Sequence, residues 1–435
     1  MLRIQQLSKD VINKISAGEV VQRPANAIKE LLENSIDAGA KNIVISIQDG
    51  GLEEIKIVDD GSGIHPDDMK ILAKRHTTSK IKTAEDLQEV ETFGFRGEAI
   101  ASLSYVSKLS VLSKMEKAPG FLCHYAKEEI QSVKMQAAKI GTTVTARNLF
   151  YNLGTRRKSM KPLEELKISV EYTKAYALQY ASERVSISLH KTSSSSLQPS
   201  LVFRNVVNST QNDLVEKSVA NLYSKQIAKE LIKMPVEKYS QELAKLGCKV
   251  KHFYGTRASY ILTLSKFQIL IFVNNRFVES KTLHKSLQLE YQKHLPKNVA
   301  GFVYLSIFIE PKNLDVNFHP TKKQVQFLNE DEIAEELVKI LSNGLASSSE
   351  SRSMSTSLVN THNGKAITPP RKRQRVDDSF VAPKGSKEVY QHEKIRTDPN
   401  QRKMTEFLKV GDWLFVTASF FKLNTLNSDV MPDKI

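Results

Sequence analysis

The chain has 435 residues and carries 63 Lys and Arg against 48 Asp and Glu, a formal charge of +15. That length allows two or three domains, each with its own core, and the basic excess suits a surface that meets a polyanion, with nucleic acid the leading partner. Two cysteines, Cys123 and Cys248, with no Cys-x-x-Cys or Cys/His cluster, speak against a disulfide framework and a zinc site. No signal-peptide core or apolar run of spanning length is present, so the expectation is a soluble protein with no membrane partner.

From Leu2 to about Leu201 the pattern alternates helices and strands, with Gly-rich turns between them, as one α/β unit. The segment RPANAIKELLENSIDAGA predicts a helix with Pro24 at its first position and Gly39 at its stop. Ala27, Ile28, Leu31, Leu32 and Ile36 form an apolar stripe. Glu30, Asn34 and Asp37, spaced i, i+4, i+7, form a separate polar one. Taken alone, that pattern is an amphipathic surface helix with its polar stripe in water.

The next segment, KNIVISIQDGGLEEIKIVDDGSGI, predicts two strands about a Gly-Gly turn, the second ending at Asp59-Asp60-Gly61-Ser62-Gly63. A carboxylate at Asp59 can accept from an exocyclic amine such as that of adenine, and Gly61 and Gly63 let backbone approach a ligand. An ordinary Asp-Gly turn gives the same string. In RHTTSKI, Thr78, Ser79 and Lys80 anchor the start of a polar stretch, KTAEDLQEVE, that suits a lid. TFGFRGEAI follows, with Gly94 and Gly97 bracketing Arg96 at the entrance to a helix over GEAIASLSYV. Backbone N–H groups and a guanidinium can converge on phosphates there; a helix-capping glycine loop is the structural alternative. In KIGTTVTARNLFYN, Gly141, Thr142 and Thr143 open a strand; the two threonine hydroxyls are candidate ligands on the adenine side, and a structural turn is the alternative. The polar HKTSSSSLQPS reads as a surface loop closing the unit.

A second pattern runs from about Asp213 to Leu341: helix, strand (ILTLSKFQILIFV), helix (TLHKSLQLEYQKHL), strand (AGFVYLSIFIE) and a last helix (EDEIAEELVKILSNGL), a smaller α/β domain. Between Lys217 and Lys297 it holds 15 Lys or Arg against 5 Asp or Glu. Lys281 and Lys285 share one helix face opposite Leu283, Leu287 and Tyr291. With Arg276 they form a candidate patch for sequence-independent phosphate contacts to duplex DNA, against the alternative of a merely solvated basic surface. From Ala346 to about Asn400, Ser, Thr, Asn, Pro and charge dominate, as in a disordered linker.

Taken together, Glu30/Asn34, Asp59-x-Gly61-x-Gly63, GFRGEA and GTT, in this order and with these gaps, resemble the Bergerat ATP-binding fold of GHKL ATPases. The strings AGEVVQRPANAIKELLENSIDAGA, RHTTSKI, TFGFRGEAIASLS, LFYNLGTRRK and DVNFHPTKKQVQF resemble the MutL mismatch-repair family over roughly residues 2 to 342. FRGEAIASLSYV and FVNNRFVES are similar to its eukaryotic branch that supplies the common subunit of heterodimers.

The resemblance implies an α/β chain with a Bergerat-type ATPase domain (1–205), a transducer domain with a DNA-contacting basic surface (206–342) and a mostly disordered tail (343–435). It implies a Mg²⁺-dependent ATPase of mismatch repair; a scaffold that keeps the fold without catalysis is the alternative. Glu30 would be the general base, with Glu33 its rival by position, and Asn34 would hold Mg²⁺. Asp59, Gly61, Gly63, Thr78, Ser79, Lys80, Gly94, Arg96, Gly97, Glu98, Ala99, Ile100 and Thr143 would surround ATP. Lys322, in DVNFHPTKKQVQF, would reach the γ-phosphate from the second domain. MutS-type and other MutL-type proteins are the implied partners, and N-terminal halves would pair when ATP is bound. In the tail, PPRKRQRV (Pro369 to Val376) is a basic cluster of nuclear-import type, with plain solubilising charge the alternative, and the nucleus is the expected compartment. Gln401-Leu408, QRKMTEFL, resembles a peptide for the replication sliding clamp, but with Leu408 where an aromatic is usual an incidental amphipathic turn is the favoured alternative. After Asn400 the sequence is too short for the family's C-terminal dimerisation domain, so no nuclease activity is expected of it.

Overall fold

The computed structural model describes residues 4–359, apart from 81–82, 84–92, 95, 194–195, 208–213, 258–263, 265, 296–298 and 316–324. The described residues belong to one compact unit, and among them form an eight-stranded sheet, a five-stranded sheet and a two-stranded ribbon.

The first sheet contains β1 (Asn42–Gln48), β2 (Glu54–Asp59), β3 (Lys108–Lys114), β4 (Phe121–Ala126), β5 (Glu129–Met135), β6 (Gly141–Arg147), β7 (Ser186–Ser193) and β8 (Ser196–Arg204). Its order is β5-β4-β3-β6-β2-β1-β7-β8, antiparallel throughout except for the parallel pair β1 and β7. The inward residues alternate, as a half-covered sheet requires: Ile43, Ile45 and Ile47 on β1 face Ile55 and Ile57 on β2. Helices α1 (Lys9–Val20), α2 (Pro24–Asp37), α3 (Ala99–Val106) and α5 (Pro162–Gln179) join that core; α4 (Gly154–Ser159) is a short connecting helix.

HKTSSSSLQPS corrects an expectation. It carries the β7–β8 hairpin instead of a loop, because an edge strand exposed to water needs no apolar pattern once its backbone pairs on one side.

The second sheet, ordered β12-β11-β13-β10-β9, consists of β9 (Leu231–Lys233), β10 (Cys248–Thr256), β11 (Gln268–Val273), β12 (Arg276–Val278) and β13 (Phe302–Ile309). Strand β11 begins at Gln268, so the expected strand is shorter than ILTLSKFQILIFV, whose first half lies largely outside the described residues. The continuous apolar run FVYLSIFI makes β13 a strand buried on both faces. Phe302 and Tyr304 join the first core, while Val303, Leu305, Ile307 and Ile309 join a second core with α9 (Lys281–His294) and α10 (Glu330–Val359). The remaining helices are α6 (Leu214–Leu222), α7 (Lys225–Glu230) and α8 (Ser240–Lys245), and β14 (Leu314–Asp315) pairs with β15 (Gln326–Phe327).

Helix α10 also corrects the expected tail boundary, since it continues past residue 343 to Val359. Ile333, Leu337, Ile340, Leu341 and Leu345 are buried and nucleate it, and each further turn then costs far less than the first. Among the described residues no helix is long and apolar enough to cross a membrane.

Candidate nucleotide site

Helix α2 forms part of the wall of a cavity of about 600 Å³, and Glu30, Asn34 and Asp37 all line it. The polar stripe therefore turns inward and not to water, because α2 is buried from Pro24 to Glu33. Glu30 is 9% exposed, Glu33 only 1%. Glu33 lies outside the cavity lining. It pairs with the buried ammonium of Lys29 at 2.9 Å and accepts from the Tyr176 hydroxyl. Lys29 also stands 3.8 Å from Glu30 Oε1. The two carboxylates are thus separated physically: one is held in a buried pair, the other faces the cavity.

Asp59 ends β2 with its carboxylate turned into the same cavity. Its Oδ1 accepts from the backbone of Gly61 (3.0 Å) and Thr142 (3.2 Å), and its Oδ2 from Ser35 Oγ (3.0 Å). Burial pushes the Asp59 carboxyl up from the usual carboxylate range, and these three donors pull against that push. A carboxylate has about four acceptor positions, so one stays open to a further donor. Asp60 turns away and accepts from the backbone of Lys41 and Asn42, each at 2.7 Å. Ile64, Leu72, Val111, Met115 and Val144 supply apolar lining, suited to the flat face of a base.

The glycine-bracketed loop reaches this cavity too. Thr78, Ser79, Lys80, Gly94, Arg96, Gly97, Glu98, Ala99 and Ile100 line it, the last two beginning α3. The amides of Phe93 and Gly94 donate to Asp37 at 3.2 and 3.1 Å. Gly97 has φ +60°, and a Cβ there would collide with the Thr77 carbonyl. Only glycine lets this loop lie against the segment that carries Thr78 to Lys80.

Several expected residues fall elsewhere. Thr143 does not line the cavity; Thr142 does. On β6, Thr142 pairs with Asp59 and Thr143 with Val58, and strand alternation sends these pairs to opposite faces. Gly61 sits behind Asp59 as a backbone donor, not in the lining. Lys322 and most of the proposed lid lie outside the described residues, as do PPRKRQRV and QRKMTEFL. Lys281 and Lys285 are exposed on α9 with Leu283, Leu287 and Tyr291 buried behind them.

Arg276 corrects the DNA patch. It is 5% exposed and donates through Nη2 to the Phe93 carbonyl at 2.7 Å, so it does not present its charge to solvent. Sequence reading missed Ser35 and the apolar lining. Ser35 adjoins Asn34 in sequence, but its bond to Asp59 depends on how a helix meets a strand end.

Comparison with known proteins adds the family. A model described as histidine kinase-, DNA gyrase B- and HSP90-like ATPase matches residues 22–154, and one described as DNA mismatch repair protein, C-terminal domain, matches residues 219–346. DNA mismatch repair protein MLH1 of Saccharomyces cerevisiae is 33% identical over 431 residues, covering 94% of this chain and 53% of the yeast protein. Putative MutL protein homolog 1 of Schizosaccharomyces pombe is 34% identical over 93% of this chain and 57% of its own length. The chain belongs to the MutL family of DNA mismatch repair proteins. It spans about half the length of these curated relatives. A solved structure titled as the N terminal domain of a DNA repair protein matches with a TM-score of 0.63 and 27% identity, over 76% of this chain and 97% of that one.

The GHKL-type ATPase domain of this MutL family member implies nucleotide binding, and the cavity also presents donors that fit a divalent ion. Asn34 Oδ1 and Asp37 Oδ2 are hard oxygen atoms in the cavity, both now in contact with the Lys80 ammonium.

Proposed function

We propose that the chain is a Mg²⁺-dependent ATPase whose nucleotide state governs its hold on duplex DNA during mismatch repair. The observation that carries this reading is the convergence of Glu30, Asn34, Asp59 and the Gly94–Gly97 loop on one cavity. Asp59 accepts from the exocyclic amine of adenine, the loop backbone and Lys80 hold the polyphosphate, and Glu30 takes a proton from the attacking water. A Mg²⁺ ion resting on Asn34 would supply charge neutralisation at the phosphates. Lys322 belongs to the same proposal as the cation brought from the second domain. The exposed Lys281 and Lys285 give non-specific phosphate contacts, MutS-type and other MutL-type proteins are the partners, and the nucleus is the compartment.

The test is ATP turnover with and without duplex DNA, comparing wild type with Glu30→Ala. The expected result is turnover in the wild type, raised by DNA, and retained ATP binding without turnover in the variant. A wild type that binds DNA but neither binds nor hydrolyses ATP would establish the scaffold reading instead.

A further inference from the structure

The ATPase reading assigns no role to Arg276, although its guanidinium is buried against the phosphate-side loop. We propose that Arg276 is a positioning residue for nucleotide binding: it anchors Phe93 and thereby holds the Phe93–Gly94 amides where they meet Asp37. The inference rests on the ATPase reading for its consequence and on geometry for its substance.

Arg276 stands on a fixed post. The turn between β11 and β12 consists of Asn274 and Asn275, both with positive φ (49° and 63°), the two-residue turn that matches strand twist. Asn274 exchanges hydrogen bonds with Ile309, accepting at 2.7 Å and donating at 2.9 Å. Asn275 Oδ1 accepts from Gln179 Nε2 of α5 at 2.9 Å. One residue beyond Arg276, the Phe277 amide donates to the Tyr176 hydroxyl at 3.3 Å. The hairpin tip is therefore tied to its own sheet and to α5.

From that post Arg276 grips Phe93 twice. Nη2 donates to the Phe93 carbonyl at 2.7 Å, and the guanidinium carbon lies 5.7 Å from the Phe93 ring centre. The ring is wedged edge-on against Tyr176 and Tyr180. On its other side the same residue gives its amide to Asp37, as does Gly94. Asp37 in turn contacts Lys80, which contacts Asn34. A loop rich in glycine loses much backbone entropy when it is fixed, and without an anchor that loss falls on nucleotide binding. A buried carbonyl also requires a donor, and Arg276 supplies one to Phe93. The second sheet thus sets the shape of the phosphate side of the cavity before nucleotide arrives.

The experiment uses the full chain, first without DNA and then with duplex DNA added. In Arg276→Met, the ATP concentration for half-maximal turnover should rise about tenfold or more, with kcat changed much less. Hydrogen exchange of the segment 93–100 in nucleotide-free protein should accelerate. Arg276→Lys, which keeps a cationic donor, should recover most of both effects. If Arg276→Met does not fold, Phe93→Leu removes the ring beneath the guanidinium and should shift both readouts in the same direction. Unchanged exchange and an unchanged half-saturation point would overturn the anchor, as would a defect seen only when DNA is added. A wild type that fails to bind ATP would defeat the ATPase reading, while the exchange measurement still decides the anchor.

Discussion

The Lys80 ammonium lies 2.6 Å from Asp37 Oδ2 and 3.1 Å from Asn34 Oδ1, so one cation bridges the last two residues of the α2 stripe in the cavity wall. The pair is only partly exposed, at 22% for Lys80 and 7% for Asp37, so solvent screens it less than a surface pair. Removing the ammonium leaves Asp37 and Glu30 facing an incoming polyphosphate with less neutralising charge. Lys80→Met should weaken ATP binding by about tenfold or more, roughly 1–2 kcal/mol. The fold should survive, because Asp37 keeps the Phe93 and Gly94 amides. Calorimetric titration with ATP and Mg²⁺ checks this, and equal affinity in the variant would discard it.

Glu33 should matter for stability where Glu30 matters for turnover. Glu33→Ala strands the Lys29 ammonium, itself 1% exposed, 3.8 Å from its next carboxylate. The Tyr176 hydroxyl, which burial and Glu33 keep protonated, also loses its acceptor. Breaking a buried pair from one side costs about 3 kcal/mol or more. Urea unfolding should show that loss for Glu33→Ala and a much smaller one for Glu30→Ala. Similar midpoints for the two variants would refute the division of labour.

Asp59 gives a prediction with a definite sign in pH. Its folded pKa is raised, chiefly by desolvation, so the protonated form is favoured on folding. Stability from this group is present below the unfolded value near 3.8 and is lost as pH rises through the raised folded value. In Asp59→Asn the amide oxygen can still accept from Gly61 and Thr142, and Ser35 can rotate to accept from the amide nitrogen. The variant should therefore melt at or above the wild-type temperature at neutral pH, and this advantage should shrink as pH falls into the acid range. ATP binding should nonetheless drop sharply. A variant that is less stable at neutral pH and catches up on acidification would reverse the sign and sink the account.

What the sequence disclosed and what it hid follow from the reach of each interaction. The stripe Glu30, Asn34, Asp37 was legible because i, i+4, i+7 spacing alone puts three side chains on one helix face. Which way that face turns was not, since it depends on the elements that bury α2. The choice between Thr142 and Thr143 hung on the phase of a strand, set by its register with Asp59 on β2. Arg276 misled because its helix neighbours Lys281 and Lys285 are exposed, while its own environment is made by Phe93, 183 residues away in sequence. The β7–β8 hairpin hid for the opposite reason, as edge pairing is a backbone property that polar side chains do not announce. Glu30 and Glu33 differ by less than one turn. Lys29, at i, i+4 spacing from Glu33, and Tyr176, which the sequence does not place beside it, separate them.

The burial of Arg276 also sharpens the expectation for DNA. If Lys281 and Lys285 alone carry the phosphate contacts of this face, the double variant Lys281→Glu/Lys285→Glu should lower duplex affinity for every sequence alike, because the contacts read charge and not bases. Every phosphate neutralisation that the variant abolishes should make the plot of log affinity against log salt shallower by about 0.9, so the pair should remove roughly 2 from the slope. Leu283, Leu287 and Tyr291 hold the opposite face of α9 in the second core, so these surface changes should leave the fold and DNA-free ATP turnover intact. Fluorescence anisotropy with two unrelated duplexes over a salt series is the measurement. Retention of the wild-type slope would place the contacting residues on another face, and weakening confined to one of the two duplexes would mean that base edges are read after all.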